Sequence, residues 1–406
     1  MAFSIALSGL NAASADLSTT GNNIANANTT GFKESRAQFA DVFPTQGQGL
    51  GGSQIGSGVR VSGIAQQFDQ GNIDFTDNSL DLAISGSGFF TLDDGGTLVY
   101  SRAGAFGVDR EGFVVNQSNQ RLQVFPPSAN GSFDTGSLAD LALSSSENPP
   151  QATSSINVNA NLPADAVQPA AAFDISDAET YNHTTSATIY DSLGASHAAT
   201  LYFVKDDAAG PNAWNVHTAV DGQVVGGASP LAYSTSGQIV TPANGEIALP
   251  AHALGNGADD LSITLDLSDS TQFGSQFGVT SLRQDGFAAG RLTGIEITEQ
   301  GVVQARFSNG QSSPLGQLAL TQFPNAQGLQ HLGDTTWGDT FAAGQALRGA
   351  PGSADLGVIQ SGALESSNVD LTEQLVNMIT AQRNFQANAQ MISTSDAITQ
   401  TIINIR

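Results

Sequence analysis

Two apolar stripes at heptad spacing, one near each end of the chain, constrain the fold more than any other feature of the sequence. Residues seven apart lie on one side of an α-helix, and a helix with such a stripe buries it against a partner helix. We therefore predict that the two terminal helices pair as a coiled coil and also contact neighbouring copies of the chain. The predicted assembly interface consists of Phe3, Leu7, Leu10, Leu17, Ile24, Leu371, Leu375, Met378, Phe385, Ile392, Ile398, Ile402 and Ile405.

The N-terminal stripe alternates large and small positions, which favours close approach of a partner helix. A small residue follows three places after each large residue of the heptad series: Ala6, Ala13, Thr20 and Ala27. The C-terminal helix is predicted to be apolar on two sides, because at about 100° per residue Met391 and Ile398 lie opposite Leu371 and Phe385. One side can take the N-terminal helix, and the other then needs another subunit. Burial of the whole helix within one domain is the alternative.

The long stretch between the ends is predicted to be mainly β, because apolar residues alternate there and glycine-containing turns separate the alternating runs. The predicted fold is two antiparallel β-domains, one inserted in the other, with N- and C-terminal α-helices that pair as a coiled coil. The predicted domains are a terminal helical domain (1–30 and 366–406), a glycine-rich linker region (31–70 and 349–365), a first β-domain (71–146 and 284–348) and an inserted acidic outer β-domain (147–283).

The net charge of −24 is distributed unevenly along the chain. Residues 1–40 are balanced and residues 361–406 carry a charge of −2, so nearly all of the negative charge lies between them. Neutral ends suit the close packing of many copies, while an acidic middle keeps an assembly soluble. Such an acidic chain is not expected to bind nucleic acid or an anionic membrane.

Several sequence features restrict the compartment and the chemistry. No apolar run is long enough to span a bilayer, so we expect no membrane insertion. The first basic residue is Lys33, which argues against a Sec-type signal peptide. The chain has no cysteine, and this excludes disulfides, thiolate catalysis and cysteine-ligated metals.

Catalytic signatures are missing from the sequence. The five histidines show no metal-ligand spacing. The stretch Gly47–Gly52 matches G-x-G-x-x-G, but it reads as a linker because no predicted strand precedes it and no helix follows. We therefore predict no catalytic, cofactor-binding or metal-binding residues, no cofactor and no enzymatic activity. A pair of glycosidase carboxylates remains open, since acidic residues are plentiful and nothing singles out two of them.

Long motifs at both ends and in the first β-domain resemble those of the bacterial flagellar rod and hook proteins. The resemblance covers roughly half of the chain, and the inserted acidic domain has no motif of this kind. The motifs are Leu7–Ala13 (LSGLNAA), Gly21–Lys33 (GNNIANANTTGFK), Ser87–Phe90 (SGFF), Tyr100–Phe106 (YSRAGAF), Gly362–Leu371 (GALESSNVDL) and Met378–Asn388 (MITAQRNFQAN).

The resemblance implies a structural, non-enzymatic protein of the bacterial flagellum, and the length and the large insertion favour a hook member over a rod member. Such a subunit would polymerise with itself into a short, curved helical tube that passes motor torque to the filament as a universal joint. The implied partners are the distal rod protein, the hook cap protein during growth, the hook length-control protein and the hook–filament junction protein. Export through the flagellar type III apparatus to an extracellular position beyond the basal body is also implied.

Two other interpretations remain open. A distal rod protein of the same family would form a straight shaft instead of a bent joint. An exported β-rich carbohydrate-binding protein or enzyme would use the acidic domain, and it would need a cleft with perturbed carboxylates or exposed aromatic side chains. In the hook interpretation, the terminal helices are expected to be largely disordered in the monomer and to fold on assembly. The passages 47–58 and 349–362 are expected to let the domains tilt.

Overall fold

The structure is a computed structural model that describes residues 2–43, 56–128, 130–143 and 147–404, except the side chains of residues 2, 402 and 404. Of the predicted interface residues, Ile405 and the side chain of Ile402 therefore lie outside the described part. So does most of the predicted glycine-rich passage 47–58.

The chain divides into two compact units. The first consists of Met1–Ser144, Gly294–Arg306 and Ser312–Arg406, and the second consists of Ser145–Thr293 and Phe307–Gln311. One unit is therefore inserted in the other, as the sequence predicts. The fold is mainly β, with an α-helix at each end, and this prediction of the fold class is confirmed.

Helix α1 spans Ala2–Ala25 and helix α2 spans Leu371–Asn404, and the two helices pack against each other. The predicted terminal helical segment 1–30 extends five residues beyond the end of α1. Beyond that end, Gly31 has a φ of +69° and lies so close to the backbone of Ala103 that a Cβ atom would be 2.4 Å from its nitrogen. Only glycine fits this combination of left-handed backbone and close approach.

Short strands make up the rest of both units. The strands that precede the inserted unit are β1 Ser35–Asp41, β2 Val59–Gln66, β3 Ile73–Phe75, β4 Leu82–Ser85, β5 Phe89–Asp94, β6 Thr97–Ser101, β7 Gly107–Val108, β8 Val114–Val115, β9 Arg121–Phe125 and β10 Ala139–Asp140. The strands of the inserted unit are β11 Ser155–Pro163, β12 His183–Tyr190, β13 Ser196–Lys205, β14 Ala213–Val220, β15 Gln223–Tyr233, β16 Ile239–Thr241, β17 Glu246–Ala248, β18 Thr264–Asp266, β19 Thr271–Phe273 and β20 Gly278–Gln284. The later strands are β21 Leu292–Ile297, β22 Val302–Phe307, β23 Ser312–Leu318, β24 Leu320–Gln322, β25 Gln330–Gly333, β26 Thr336–Gly338, β27 Leu347–Gly349, β28 Val358–Ser361 and β29 Ala363–Glu365. Three 3-10 helices accompany them: Ala178–Thr180, Ala326–Gly328 and Phe341–Ala343.

The largest sheet of the first unit is branched and has 13 strands, with the order β21-β22-β23-β9-β5-β6-β26-β25 along its main path. The remaining strands β7, β8, β10, β24 and β27 pair with members of this path or with each other. Apolar side chains from the strands before and after the insertion share one core, so the first unit is completed only when the chain returns from the second. Members of this core are Leu82, Ile84, Phe90, Leu92, Leu122, Val124, Val303, Leu318, Leu320 and Ile359.

The inserted unit has two five-stranded sheets around a common core. One sheet is an antiparallel meander, β12-β13-β14-β15-β16. The other is mixed, because β11 pairs in parallel with β18 and β19 and antiparallel with β20. The two parallel pairings of β11 depart from the antiparallel arrangement predicted for both β-domains. Single-strand alternation does not distinguish the two pairings, since both place side chains on alternate faces.

The segments predicted as glycine-rich linkers contain paired strands. Strands β1 and β2 form an antiparallel hairpin that packs on α1. Strand β28 pairs with β4 and β29 pairs with β3, so the later part of the predicted linker 349–365 is paired with strands of the first unit. The glycines in this passage connect strands, and Ile359 between them is buried in the core.

Candidate assembly interface

The small residues of the N-terminal heptad series form the contact between the two terminal helices. Ala6, Ala13 and Thr20 are buried, and Ala381 of α2 is fully buried. The pairing of α1 with α2 is therefore confirmed, but its seam consists of small and polar side chains. Small residues let the two helix backbones come close together.

None of the described large residues predicted for the interface is buried in the single chain, and five of them are exposed. Phe3 is 48% exposed, and Leu7, Leu371 and Leu375 are exposed to a similar degree, as is Ile398 at 56%. Leu10, Leu17, Ile24, Met378, Phe385 and Ile392 are half-buried at the edges of the seam. The structure thus brings only part of the predicted set together within one chain, because the small positions between them already fill the seam.

Gly9 and Asn388 mark a close approach of the two helices. A Cβ atom on Gly9 would lie 2.5 Å from Oδ1 of Asn388, whereas a Cβ atom on Gly21 would meet nothing within 4 Å. Asn388 belongs to a second series on α2, which runs Gln374, Ala381, Asn388 and Ser395 at intervals of seven. Each member follows a large apolar residue by three places, as in α1. This repeated spacing is the sequence signal that could have identified the seam.

A buried polar cluster joins the two helices to the segment that follows α1. The amide Nδ2 of Asn23 donates to Oε1 of Gln374 at 3.1 Å and to the carbonyl oxygen of Ser35 at 2.8 Å. Gln374 in turn donates to Oε1 of Glu34 at 2.8 Å. Both amide side chains are buried, and a buried amide without a hydrogen-bond partner is unfavourable. A shift of one helix along the other would break these hydrogen bonds, so they fix the register of the pair. Sequence analysis did not identify these residues.

An ion cluster, which we call the buried triad, lies just beyond the helices and consists of Lys33, Arg102 and Glu365. The Nζ of Lys33 is 2.6 Å from Oε1 of Glu365, and Nη1 of Arg102 is 3.2 Å from Oε2. Burial lowers the pKa of Lys33 and of Arg102, although Glu365 acts in the opposite direction on both groups. The attraction of the carboxylate thus compensates only part of the desolvation, as is usual for buried ion pairs.

Backbone groups add three hydrogen bonds to the buried triad, while Nε of Arg102 is buried without a hydrogen-bond partner. Lys33 donates to the carbonyl oxygen of Asp69, Arg102 donates to that of Gly86, and the N–H of Gly71 donates to Glu365. The triad therefore connects chain segments that are far apart in the sequence. Lys33 and Arg102 are each the one charged residue of their motif, which is a signal that the sequence analysis overlooked.

The hairpin of β1 and β2 adds a further exposed apolar surface beside α1. Ile64 is 60% exposed, and Phe39 and Val61 are also exposed. The base of the hairpin is fixed, because Nε1 of Trp337 donates to Oε1 of Gln66 at 2.6 Å. These side chains are held on a well-anchored ribbon and lie on the same unit as the exposed helix residues.

Within residues 2–43, 56–128, 130–143 and 147–404, no three His, Asp or Glu side chains are grouped so that they could hold a metal ion. Neither of the two described α-helices is long and apolar enough to cross a bilayer.

Four family models match parts of the chain. Residues 3–33 match a model described as flagella basal body rod protein, and residues 83–168 match the flagellar hook protein FlgE/F/G D1 domain. Residues 157–287 match the flagellar basal body protein FlaE D2 domain, and residues 360–405 match the flagellar basal body rod FlgEFG protein C-terminal region.

Known proteins are similar over the full length. The flagellar hook protein FlgE of Escherichia coli K12 is 38% identical over 418 residues, with 100% of both chains covered. The flagellar hook protein FlgE of Borreliella burgdorferi is 33% identical, with 98% of each chain covered. The crystal structure of Helicobacter pylori flagellar hook protein FlgE2 has the same fold, with a TM-score of 0.55 at 14% identity over 72% of this chain and 100% of that chain. On the full-length sequence similarity, the chain belongs to the flagellar hook protein family.

Proposed function

We propose that this hook subunit assembles into a short, curved tube through the outward faces of its paired terminal helices. Members of its family are structural proteins of the flagellar hook, which is a polymer of one kind of subunit. The observation that carries the proposal is the exposure of large apolar side chains on both helices of the single chain. Soluble monomers rarely leave so many large apolar side chains in water on one pair of helices, so a protein partner is expected.

Burial of this surface between subunits would favour assembly. Full burial of a large apolar side chain contributes about 1.5–3 kcal/mol, and a half-exposed side chain gains about half of that. Leu375, Val376, Ile379, Met391 and Ile398 of α2 are each about half exposed. Several such residues per subunit would therefore add several kcal/mol to the stability of the polymer, against which the loss of side-chain freedom at the contact counts. The small residues between the two helices would therefore hold the helix pair together within one subunit. The large residues on the outer faces of the helices would hold neighbouring subunits together.

The charge distribution supports a division between inner and outer contacts. The ends of the chain are nearly neutral, and the segment 147–282 contains Lys205 as its one basic residue. Apolar helices can pack closely near the axis of a tube, while acidic units on the outside repel one another and form weaker contacts. A rotating bent tube needs outer contacts that change their spacing, and this is how the subunit would act as a universal joint.

Electron microscopy of the purified protein, grown from sheared seeds of the same polymer, tests the proposal. The full chain should give curved tubes, and a variant without residues 1–30 and 366–406 should give none. The double variant Leu375→Ser with Ile398→Ser should also fail to elongate the seeds while retaining its folded β-units. Val167→Ser with Leu193→Ser is the matched control, because both residues are exposed in the inserted unit. Normal tubes from the helix variant would contradict the proposal, and straight tubes from the full chain would favour a rod.

The finer context of assembly is also part of the proposal. The subunit would leave the cell through the flagellar type III export apparatus and add to the hook outside the cell, beyond the basal body. The distal rod protein would contact the first subunits, and the cap protein would cover the growing end. The length-control and hook–filament junction proteins would act when growth stops. These partners are supported by the resemblance of the chain ends to rod and hook proteins.

A further inference from the structure

His197 of the inserted unit lies between two carboxylates. Its Nδ1 is 2.6 Å from Oδ2 of Asp221, and its Nε2 is 3.2 Å from Oδ2 of Asp191. A neutral imidazole has one N–H donor and one lone pair, so one of these contacts would place a lone pair against a carboxylate oxygen. Only the protonated ring donates a hydrogen bond to both carboxylates. The geometry therefore indicates an imidazolium.

The two carboxylates belong to different turns of the antiparallel meander. Asp191 closes the turn between β12 and β13, where its Oδ1 accepts from the N–H groups of Leu193 and Ala195 at 2.9 and 2.8 Å. Asp221 is in the turn between β14 and β15, with a φ of +47°, and its Oδ1 accepts from the N–H of Ala198 at 2.9 Å. His197 at the start of β13 thus connects two turns.

A third segment reaches the same cluster. Nδ2 of Asn256, in the connection between β17 and β18, donates to Oδ2 of Asp191 at 2.7 Å. The side chain of Asp191 is fully buried, whereas that of Asp221 is about half exposed. We propose that protonated His197 clamps these three segments together, and that loss of its proton releases the turn at Asp221 and loosens this end of the inserted unit.

The sign of the pH dependence follows from the surrounding charges. Asp191 and Asp221 are the charged groups that face His197, and His252 acts electrostatically on Asp221. The hydrogen bond to Asp221, with that to Asp191, raises the pKa of His197 above its ordinary value of 6.5, while burial opposes the rise. Because the pKa of His197 is raised in the folded state, its full contribution to the stability of the inserted unit is present below the ordinary pKa of 6.5. That contribution is lost as the pH rises through the pKa of the folded state.

Titration of the full-length chain by NMR tests the charge state directly. The ring C–H signals of the five histidines are followed with pH, and the signal missing in His197→Gln identifies His197. Should that variant fail to fold, Asp221→Asn identifies the signal by its altered titration. A midpoint above 6.5 is expected. A midpoint at or below 6.5 would overturn the proposal, because the ring would then be neutral where the clamp is needed.

Hydrogen exchange tests whether the clamp holds the turns. After correction for intrinsic rates, protection at Leu193, Ala195 and Ala198 should fall as the pH passes the His197 midpoint, by about tenfold for each unit by which the pKa is raised. Asp221→Asn should make this step smaller, because only the contact with Asp191 is left to His197. Asp165→Asn, which makes the same charge change at an exposed site of the same unit, should keep the full step. A step of unchanged size in Asp221→Asn, or a flat profile in the unaltered chain, would refute the clamp.

Discussion

Lys33 and Glu365 are 332 residues apart in the chain, and their side chains form an ion pair of 2.6 Å that is closed to solvent. Lys33 follows the N-terminal helix and Glu365 precedes the C-terminal helix. Their ion pair joins the segment that follows α1 to the segment that precedes α2, both of which belong to the first unit. The position of the helix pair, and with it the direction of its exposed apolar side chains, depends on this contact.

The first prediction concerns the carboxylate of the buried triad. Glu365→Gln should lower the free energy of unfolding of the first unit by about 3–5 kcal/mol, because it leaves two buried cations without a counter-ion. Urea denaturation followed by Trp337 fluorescence in a Trp214→Phe background measures this unit alone, since the chain has two tryptophans. Glu299→Gln at an exposed position should change the value by no more than about 0.5 kcal/mol. Equal effects of the two substitutions would show that the triad is not stabilising.

The second prediction concerns the closest helix contact. Gly9→Ala should weaken the helix pair, because the new methyl group would displace the side chain of Asn388. Gly21→Ala should instead stabilise α1 by about 0.5–1 kcal/mol, since that position is open and alanine favours the helix. The loss of helical circular dichroism in urea compares the two. Combining Gly9→Ala with Asn388→Ala should restore stability, and a failure to do so would place the strain elsewhere.

The third prediction concerns the buried amide of Gln374. Gln374→Leu removes the partner of Asn23 and should cost about 1–3 kcal/mol. Gln374→Glu should be worse at neutral pH, because it places a second carboxylate against Glu34, and should recover as the pH falls. Urea denaturation at several pH values measures both. The same two substitutions at the exposed Gln386 of α2 are the controls, and similar losses there would argue against a positional role for Gln374.

The fourth prediction concerns the acid stability of the inserted unit. Hydrogen bonds from Ser268, and then from Asn157, hold the pKa of Asp266 below its ordinary value of 3.8. Because the pKa of Asp266 is lower in the folded state, its carboxylate stabilises the unit fully above the ordinary pKa of 3.8. This contribution disappears as the pH falls through the folded-state pKa. Asp266→Asn should therefore be less stable than the unaltered chain at neutral pH, with the difference vanishing in acid.

Trp214 fluorescence in a Trp337→Phe background reports on the inserted unit for this experiment. Asp165→Asn serves as the charge-matched control at an exposed site of that unit. A difference between Asp266→Asn and the unaltered chain that stays constant at all pH values would mean that lost packing, not ionisation, explains the effect.

The sequence predicts the broad fold because its signals are local. Heptads at the ends and alternation in the middle follow from the periods of the helix and the strand, as in α1 and in β4 with its buried Leu82 and Ile84. Pairing is not local. The parallel neighbours of β11 and the attachment of β28 to β4 join residues far apart in sequence, so no short pattern encodes them.

The sequence identifies the large apolar residues of the helices but not the residues that they contact, for a related reason. Phe3 and Leu375 were selected because they are large and apolar, but a heptad pattern does not say which partner covers a residue. Gln374 and Glu365 were missed because a polar residue in a sequence shows neither its burial nor its partners. The role of the large residues in assembly, and the predicted division into helical, linker and outer domains, stay predictions.

The double attachment beside the helix pair has a mechanical consequence. The chain leaves the helices by two routes, and these lie side by side, since the N–H of Gly31 donates to the carbonyl oxygen of Glu365 and the N–H of Glu34 donates to Asn368. A single peptide connection can swivel about its own bonds, whereas two connections fastened to each other resist twisting. A torque applied to the helices is therefore transmitted to the β-sheet, because the two connections resist rotation of the helices relative to the sheet.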